Sequence, residues 1–328
     1  MKKIIFSGIQ PNSVIHLGNY LGAIANWVKL QNEVDESYFC IVDYHAITAN
    51  NFDKAQLQNN IYANLAIYLA LGIDPTKAVI FQQSDVSEHT ELEWILNIVT
   101  NLGELNRMTQ FKDKSNDKDT VNCGLFNYPI LQAADILLYK ANMIPVGEDQ
   151  LQHIELARVI ARRFNNRFGN IFPEPQSLTT KTAKIMALND ATKKMSKSIA
   201  GSYITLTDSP DTIRKRIASA VTDSGRDASG PGARNLLLLL EHFGTKEIHQ
   251  QHLDSASRNE LSYSKLKSDL SDAIIDHLKP INAKINDYLD NKAQLDNILN
   301  DGAKRAKAKA FKTFDEVRSA IGLGEKRV

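Results

Sequence analysis

The chain has 328 residues, 43% hydrophobic and 23% charged, with a formal net charge of +1; this is an ordinary folded composition, long for one hydrophobic core and expected to form two domains. The near-neutral balance leaves whole-molecule attraction to nucleic acid weak, so an RNA site has to be a local basic patch. Two cysteines, Cys40 and Cys123, are too few for a disulfide scaffold or a thiolate metal cluster, and no run reaches the roughly 18 apolar residues of a membrane span.

After Met1-Lys2-Lys3, any signal-peptide core is interrupted at Ser7, Gln10, Pro11 and Asn12, so the cytoplasm is the expected location. Residues 3–6, ending in Phe6, read as a short buried strand. A glycine turn carrying Gly8 follows, and a helix is expected over 20–30, where Leu21, Ile24 and Val28 keep helical spacing. Strand, glycine turn and helix start form an arrangement whose backbone N–H groups can hold an anion. It is neither a G-x-G-x-x-G fingerprint nor a Walker A loop. By itself it also reads as a structural turn with a surface histidine, His16.

Residues 38–43 form the next expected strand, with His45 just past its end. Residues 52–71 read as a helix and 78–82 as a third strand, giving βαβ units around a parallel sheet. Helical spacing resumes at Leu92, Ile95, Leu96, Val99 and Leu102. Residues 112–119 have no apolar anchor and read as an exposed loop, with Lys112 at its start. A helix beginning after Pro129 would bring Tyr128, Gln132 and Asp135 near one face. Asp135 interrupts an apolar run, and a buried carboxylate requires a donor; capping or packing is the plainer reading. Residues 143–147 read as a strand ending in Val146 and Gly147. Glu148, Asp149 and Gln150 open the next helix, where acidic groups are also ordinary capping residues. Ile185 lies in a short strand or turn at 185–188. From residue 210 the pattern becomes mainly helical, ending in a stretch with Lys304, Arg305, Lys307, Lys309 and Lys312. That stretch suits RNA phosphates or a plain solvated helix.

Between these regions lies Lys194-Met195-Ser196-Lys197-Ser198. Lysine ammoniums and hydroxyls on a loop supply mobile donors to a polyphosphate, although the run alone also reads as a solvated basic turn. KMSKS resembles the second nucleotide-binding motif of class I aminoacyl-tRNA synthetases, and His16-Leu17-Gly18-Asn19 resembles their first, HIGH-type motif. Phe6-Ser7-Gly8-Ile9-Gln10-Pro11, the run from Gly103 through Lys112, Pro145-Val146-Gly147-Glu148-Asp149-Gln150 and the run from Ala218 through Ser224 are similar to bacterial tryptophanyl-tRNA synthetases. The similarity covers nearly the whole chain. Gln132 departs from the methionine of many bacterial relatives and resembles the glutamine of tyrosyl and some other tryptophanyl enzymes; a tyrosyl enzyme is the near alternative. A noncatalytic tRNA- or nucleotide-binding regulator is the alternative from another class.

The resemblance implies an α/β fold. A Rossmann-like parallel-sheet catalytic domain would occupy 1–205 and a mainly helical anticodon-binding domain 206–328. It implies activation of L-tryptophan by ATP and transfer to tRNA(Trp), with Mg²⁺ arriving on the nucleotide, no protein-ligated metal, and a homodimer away from membranes. His16, Asn19, Lys194, Ser196 and Lys197 would be catalytic. Gly8, Gln10, Pro11, Asn12, Gly18, Lys112, Gly147, Glu148, Asp149, Ile185, Met195 and Ser198 would join them at ATP. Phe6, His45, Tyr128, Gln132, Asp135, Val146 and Gln150 would hold tryptophan.

Overall fold

The computed structural model describes residues 2–12, 15–48, 53–109, 111, 122–179, 185–196, 199 and 201–324. Its strands are β1 (Ile4–Ile9), β2 (Glu36–Ile41), β3 (Val79–Gln82), β4 (Met143–Val146) and β5 (Gln176–Thr179). The helices begin with α1 (Leu17–Asn19), α2 (Ala25–Leu30), α3 (Asp43–Ala46), α4 (Lys54–Ala70), α5 (Glu88–Leu96) and α6 (Leu102–Asn106). Next come α7 (Cys123–Leu138), α8 (Leu151–Phe168), α9 (Pro210–Ala218) and α10 (Pro231–Phe243). The series ends with α11 (Lys246–Ser257), α12 (Tyr263–Asp290) and α13 (Lys292–Ile321). Contacts divide the chain into two units: Met1–Ser13, Trp27–Thr180 and Asn291–Val328 in the first, Val14–Asn26 and Lys181–Asp290 in the second. This division differs from a single boundary between residues 205 and 206, for reasons visible in each unit's packing.

In the first unit all five strands are parallel, in the order β3-β2-β1-β4-β5. This is the expected Rossmann-like α/β sheet, with helices covering strands that are apolar on both faces. On one face Trp27 stacks on Phe39 with ring centroids 4.8 Å apart, and Tyr68 meets Trp27 edge-on. On the other, Tyr139 stacks against Phe6 and Tyr38. The helix carrying Asp135 starts earlier than the proline suggested. Asn122 caps α7 by accepting from Leu125 N at 2.8 Å, and Pro129 lies inside the helix. A good side-chain cap and a buried apolar face outweigh the missing proline N–H.

The last helix returns to the sheet. Ala306, Ala310, Phe314 and Val317 of α13 join the core cluster that contains Cys40 and Phe81. The helix backbone passes so close to β3 that a Cβ at Gly302 would stand 1.7 Å from the Ile80 carbonyl oxygen. Only a residue without a side chain permits that approach. This packing is why residues 291–321 cluster with the N-terminal sheet.

In the second unit α12 packs against α9 and α10. Ser209 and Thr245 cap α9 and α11 through their hydroxyls. Residues 15–17 pair with 204–206: Leu17 N donates to Ile204 O at 2.9 Å and Leu206 N to Ile15 O at 3.0 Å. That pairing draws the start of the helical stretch at 17–30 into this unit. Tyr20–Ile24 winds as a π-helix between α1 and α2, a feature frequent at functional sites.

Candidate functional site

In the first unit the expected site residues gather at the carboxyl ends of the strands. β1 runs into Gly8, Gln10, Pro11 and Asn12; β2 is followed by His45; β4 ends in Val146 and runs into Gly147, Glu148, Asp149 and Gln150. Because β2 and β4 flank β1 on opposite sides, the strand order reverses at β1, the place where α/β sheets open a crevice. Asn12 Nδ2 donates to Gln10 Oε1 at 2.7 Å, and buried Asn60 donates to Pro11 O at 2.9 Å, tying down the turn after β1. Gln150 Nε2 donates to Asp149 Oδ2 at 3.0 Å.

Asp135 lies beneath this edge, 1% exposed. His45 Nε2 approaches Oδ2 at 2.7 Å, and both Gln83 Nε2 and His89 Nδ1 approach Oδ1 at 2.7 Å. Tyr139 Oη meets the far nitrogen of His89 at 2.8 Å. Burial pushes the carboxyl upward, but the facing His45 and His89 imidazoles and their hydrogen bonds outweigh it, holding Asp135 well below the usual carboxylate range. An ionised carboxylate offers about four lone-pair positions. Among the described residues three are used, and the one left is on Oδ2. The tyrosine one turn before Gln132 is also engaged: Tyr128 Oη meets His153 Nε2 at 2.8 Å, and burial pushes its phenol up to about 12. Gln132 is half-buried, and no hydrogen bond joins it to Asp135.

Gln83 and His89 were not predicted. His89 precedes Leu92 and Leu96 on the buried stripe of α5, and a histidine on an apolar stripe was the available signal. Gln83 sits directly after β3 and also accepts from Tyr44 N at 3.1 Å, which holds α3 in register.

The second unit brings two sequence-distant motifs together. His16 caps α1: its Nδ1 accepts from Asn19 N at 3.2 Å, while Asn19 Oδ1 accepts from His16 N at 3.3 Å. An accepting Nδ1 puts the ring proton of a neutral imidazole on Nε2, making that atom a donor. Gly18 packs under the His16 ring, and a Cβ there would lie 3.0 Å or less from Nδ1 and Cε1 and 3.6 Å from Met195 Cβ. Met195 is 3% exposed and its N–H donates to Ile185 O at 3.0 Å; Lys194 bridges Met186, and Ser202 Oγ donates to Ser196 O at 2.5 Å. Asn235, buried in α10, clamps Met186 by accepting from its N–H at 3.0 Å and donating to its carbonyl at 3.1 Å. The mainly helical pattern from residue 210 covers α10 but does not disclose this polar clamp. His16, Gly18 and Asn19 thus share a unit with Ile185, Lys194, Met195 and Ser196, whereas Gly8, Asp135 and Gly147 belong to the other. Lys112, Lys197 and Ser198 lie outside the described residues.

Among the described residues no group of three or more His, Cys, Asp or Glu side chains converges to hold a metal ion. No described helix is long and apolar enough to cross a membrane.

Residues 2–279 match the family model described as tRNA synthetases class I (W and Y). The chain is 46% identical over 332 residues to a tryptophan–tRNA ligase of Bacillus anthracis, covering 99% of each sequence. It is similar to the crystal structure of a Mycoplasma pneumoniae tryptophanyl-tRNA synthetase, with a TM-score of 0.88, 35% identity and 99% of each chain covered. A Campylobacter jejuni tryptophanyl-tRNA synthetase complexed with ADP and tryptophan matches with a TM-score of 0.86 and 34% identity, covering 97% of this chain and 99% of the other.

Proposed function

The chain belongs to the class I tRNA synthetases of the W and Y family and works as a tryptophan–tRNA ligase; from that premise we propose how its residues divide the reaction. The full-length ligase relatives favour neither the tyrosyl nor the noncatalytic alternative.

In the first step the tryptophan carboxylate attacks the α-phosphorus of ATP, forming tryptophanyl-adenylate and releasing diphosphate. In the second, the terminal ribose hydroxyl of tRNA(Trp) attacks the activated carbonyl and AMP leaves. No protein nucleophile is required; orientation and stabilisation of migrating phosphate charge carry the rate. We assign Lys194, Ser196 and Lys197 to that charge, with Ser198 beside them. His16 Nε2–H and Asn19 supply donors from the first motif. Gly8, Gln10 and Gly18 shape the nucleotide floor, Asp149 takes the ribose and Ile185 lies under the adenine; Pro11, Asn12, Lys112, Gly147, Glu148 and Met195 complete the ATP site. Mg²⁺ enters as part of the nucleotide substrate. Phe6, His45, Tyr128, Gln132, Val146 and Gln150 line the tryptophan pocket, and Asp135 accepts the indole N–H. The observation that carries the phosphate assignment is the approach of Gly18 to Met195, which groups the two motifs in one unit.

We assign tRNA contacts to the helical residues 206–328, where Lys304, Lys307 and Lys312 are exposed along α13. We also propose a homodimer. Trp94, Ile98 and Leu102 are 76%, 53% and 66% exposed in α5, in the turn after it and at the start of α6, exposed apolar side chains suited to a second copy. A cytoplasmic enzyme is the reading that fits ATP and tRNA as substrates. ATP–pyrophosphate exchange with each of the twenty amino acids tests the whole scheme. Exchange with tryptophan alone is expected, and exchange with tyrosine in preference would overturn the pocket assignment.

A further inference from the structure

We propose that His89, backed by Tyr139, is a positioning residue that turns Asp135 into a single, directed acceptor for the indole N–H. The inference rests on the reading of Asp135 as the indole acceptor and adds what sets its direction.

The argument follows from which atoms hold protons. Asp135 is ionised and accepts only. His89 Nδ1 lies 2.7 Å from Oδ1, so Nδ1 carries a proton. In the neutral imidazole Nε2 is then an acceptor, and Tyr139 Oη, 2.8 Å away, donates to it. The chain of bonds therefore runs one way, from Tyr139 O–H to His89 and from His89 N–H to Asp135. Tyr139 is itself held between Phe6 and Tyr38, at centroid distances of 5.6 and 4.5 Å, and is fully buried. With His89 also fully buried, neither ring can swing away.

The consequence lies in what remains. Gln83 and His89 together fill Oδ1, and His45 takes one position on Oδ2. Among the described residues one acceptor position stays open, and the three donors at the carboxylate are already committed to it. A ring that only donates, such as indole, completes the set. A phenol also donates, but its own oxygen gains no donor from this cluster, and an unpaired buried oxygen costs binding. His89 thus favours indole without touching it.

The test compares tryptophan with 3-benzothienylalanine, in which sulfur replaces the indole N–H, as substrates in ATP–pyrophosphate exchange by the full-length protein. His89→Leu should lower kcat/KM for tryptophan about tenfold, as loss of one charge-assisted bond does. It should leave the KM for ATP and kcat/KM for the sulfur analogue within about twofold. His89→Asn, whose amide N–H stands near the position of Nδ1, should restore most of the tryptophan activity. Tyr139→Phe should give a smaller loss in the same sense. Equal losses for both substrates in His89→Leu, or none for either, would overturn the positioning role. If His89→Leu does not fold, Tyr139→Phe decides by the same comparison. Asp135→Asn separates the two ideas: equal losses for both substrates there would mean that the indole-acceptor reading itself has failed.

Discussion

Replacing Gly302 by alanine adds one methyl group where α13 crosses β3. The new Cβ would lie 1.7 Å from Ile80 O and 2.7 Å from Ile80 C. Ordinary carbon–oxygen contacts are roughly 3.3 Å or longer, so helix and strand must separate by about 1.5 Å. Both opposing atoms are backbone, so no side-chain rotation relieves the clash. A radial gap of 0.5–1 Å already forfeits about a quarter to a half of each dispersion contact. The neighbours affected on α13 are Leu299, Ala306 and Ala310, all buried. Arg305 Nη1, which donates to Pro75 O at 2.7 Å, would be pulled as well. Overpacking of this kind costs about 1–3 kcal/mol and sometimes more, against a gain of about 1 kcal/mol in helix propensity. Taking the upper end of that range, because both opposing atoms are backbone, a net loss of about 2 kcal/mol is expected. Urea unfolding followed by far-UV circular dichroism gives the magnitude, and amide hydrogen exchange gives the place, with β3 and α13 losing protection together. A change below about 0.5 kcal/mol, or a loss without faster exchange in residues 79–82, would refute the reasoning.

Four further outcomes are expected. Asp135→Asn should weaken tryptophan binding about 10- to 100-fold in calorimetric titration while ATP binding stays within about twofold; equal effects on both ligands would reject direct indole recognition. Lys194→Ala should slow tryptophan-dependent pyrophosphate exchange about 100-fold with an unchanged melting temperature, since the side chain is exposed; an unchanged single-turnover activation rate would remove it from the chemistry. Arg163, hydrogen-bonded to both carboxylate oxygens of Glu104, holds that carboxyl below its ordinary value. The folded-state pKa is depressed, so the stabilisation is complete above the unfolded value near ~4.3 and is lost as pH falls through the folded one. Glu104→Gln should therefore cost under about 1 kcal/mol at neutral pH, solvent screening included, and the gap in urea midpoints should close on acidification; a gap that persists in acid would show that packing, not charge, is responsible. Trp94→Glu should shift the protein toward monomer in sedimentation velocity without lowering its helicity, because Trp94 is 76% exposed; an unchanged sedimentation coefficient would move the dimer face elsewhere.

Four of the five strands are legible as short apolar runs, because a parallel sheet covered on both faces needs them. β5, Gln176–Thr179, escapes detection: it is a short polar strand at the edge, defined by its pairing with β4. Pro129 misleads because proline is common at a first helical position, while the Asn122 cap lies seven residues earlier. The two signature motifs are legible from residue order, but that both belong to one unit is not, since it depends on the pairing of residues 15–17 with 204–206. His89 and Gln83 are hidden for a related reason. A buried polar residue declares itself only through its partner, and Asp135 is 46 residues from His89 and 52 from Gln83.

The return of α13 to the sheet also orders the birth of the protein. The ribosome delivers β3 more than 200 residues before the helix that covers it. While the intervening segments emerge, the sheet carries a bare apolar groove along the Ile80 carbonyl, and the second unit can fold in the meantime as an insertion. A chain broken off before residue 292 keeps that groove open permanently. Exposed apolar surface of that kind makes the chain prone to aggregation until α13 covers β3.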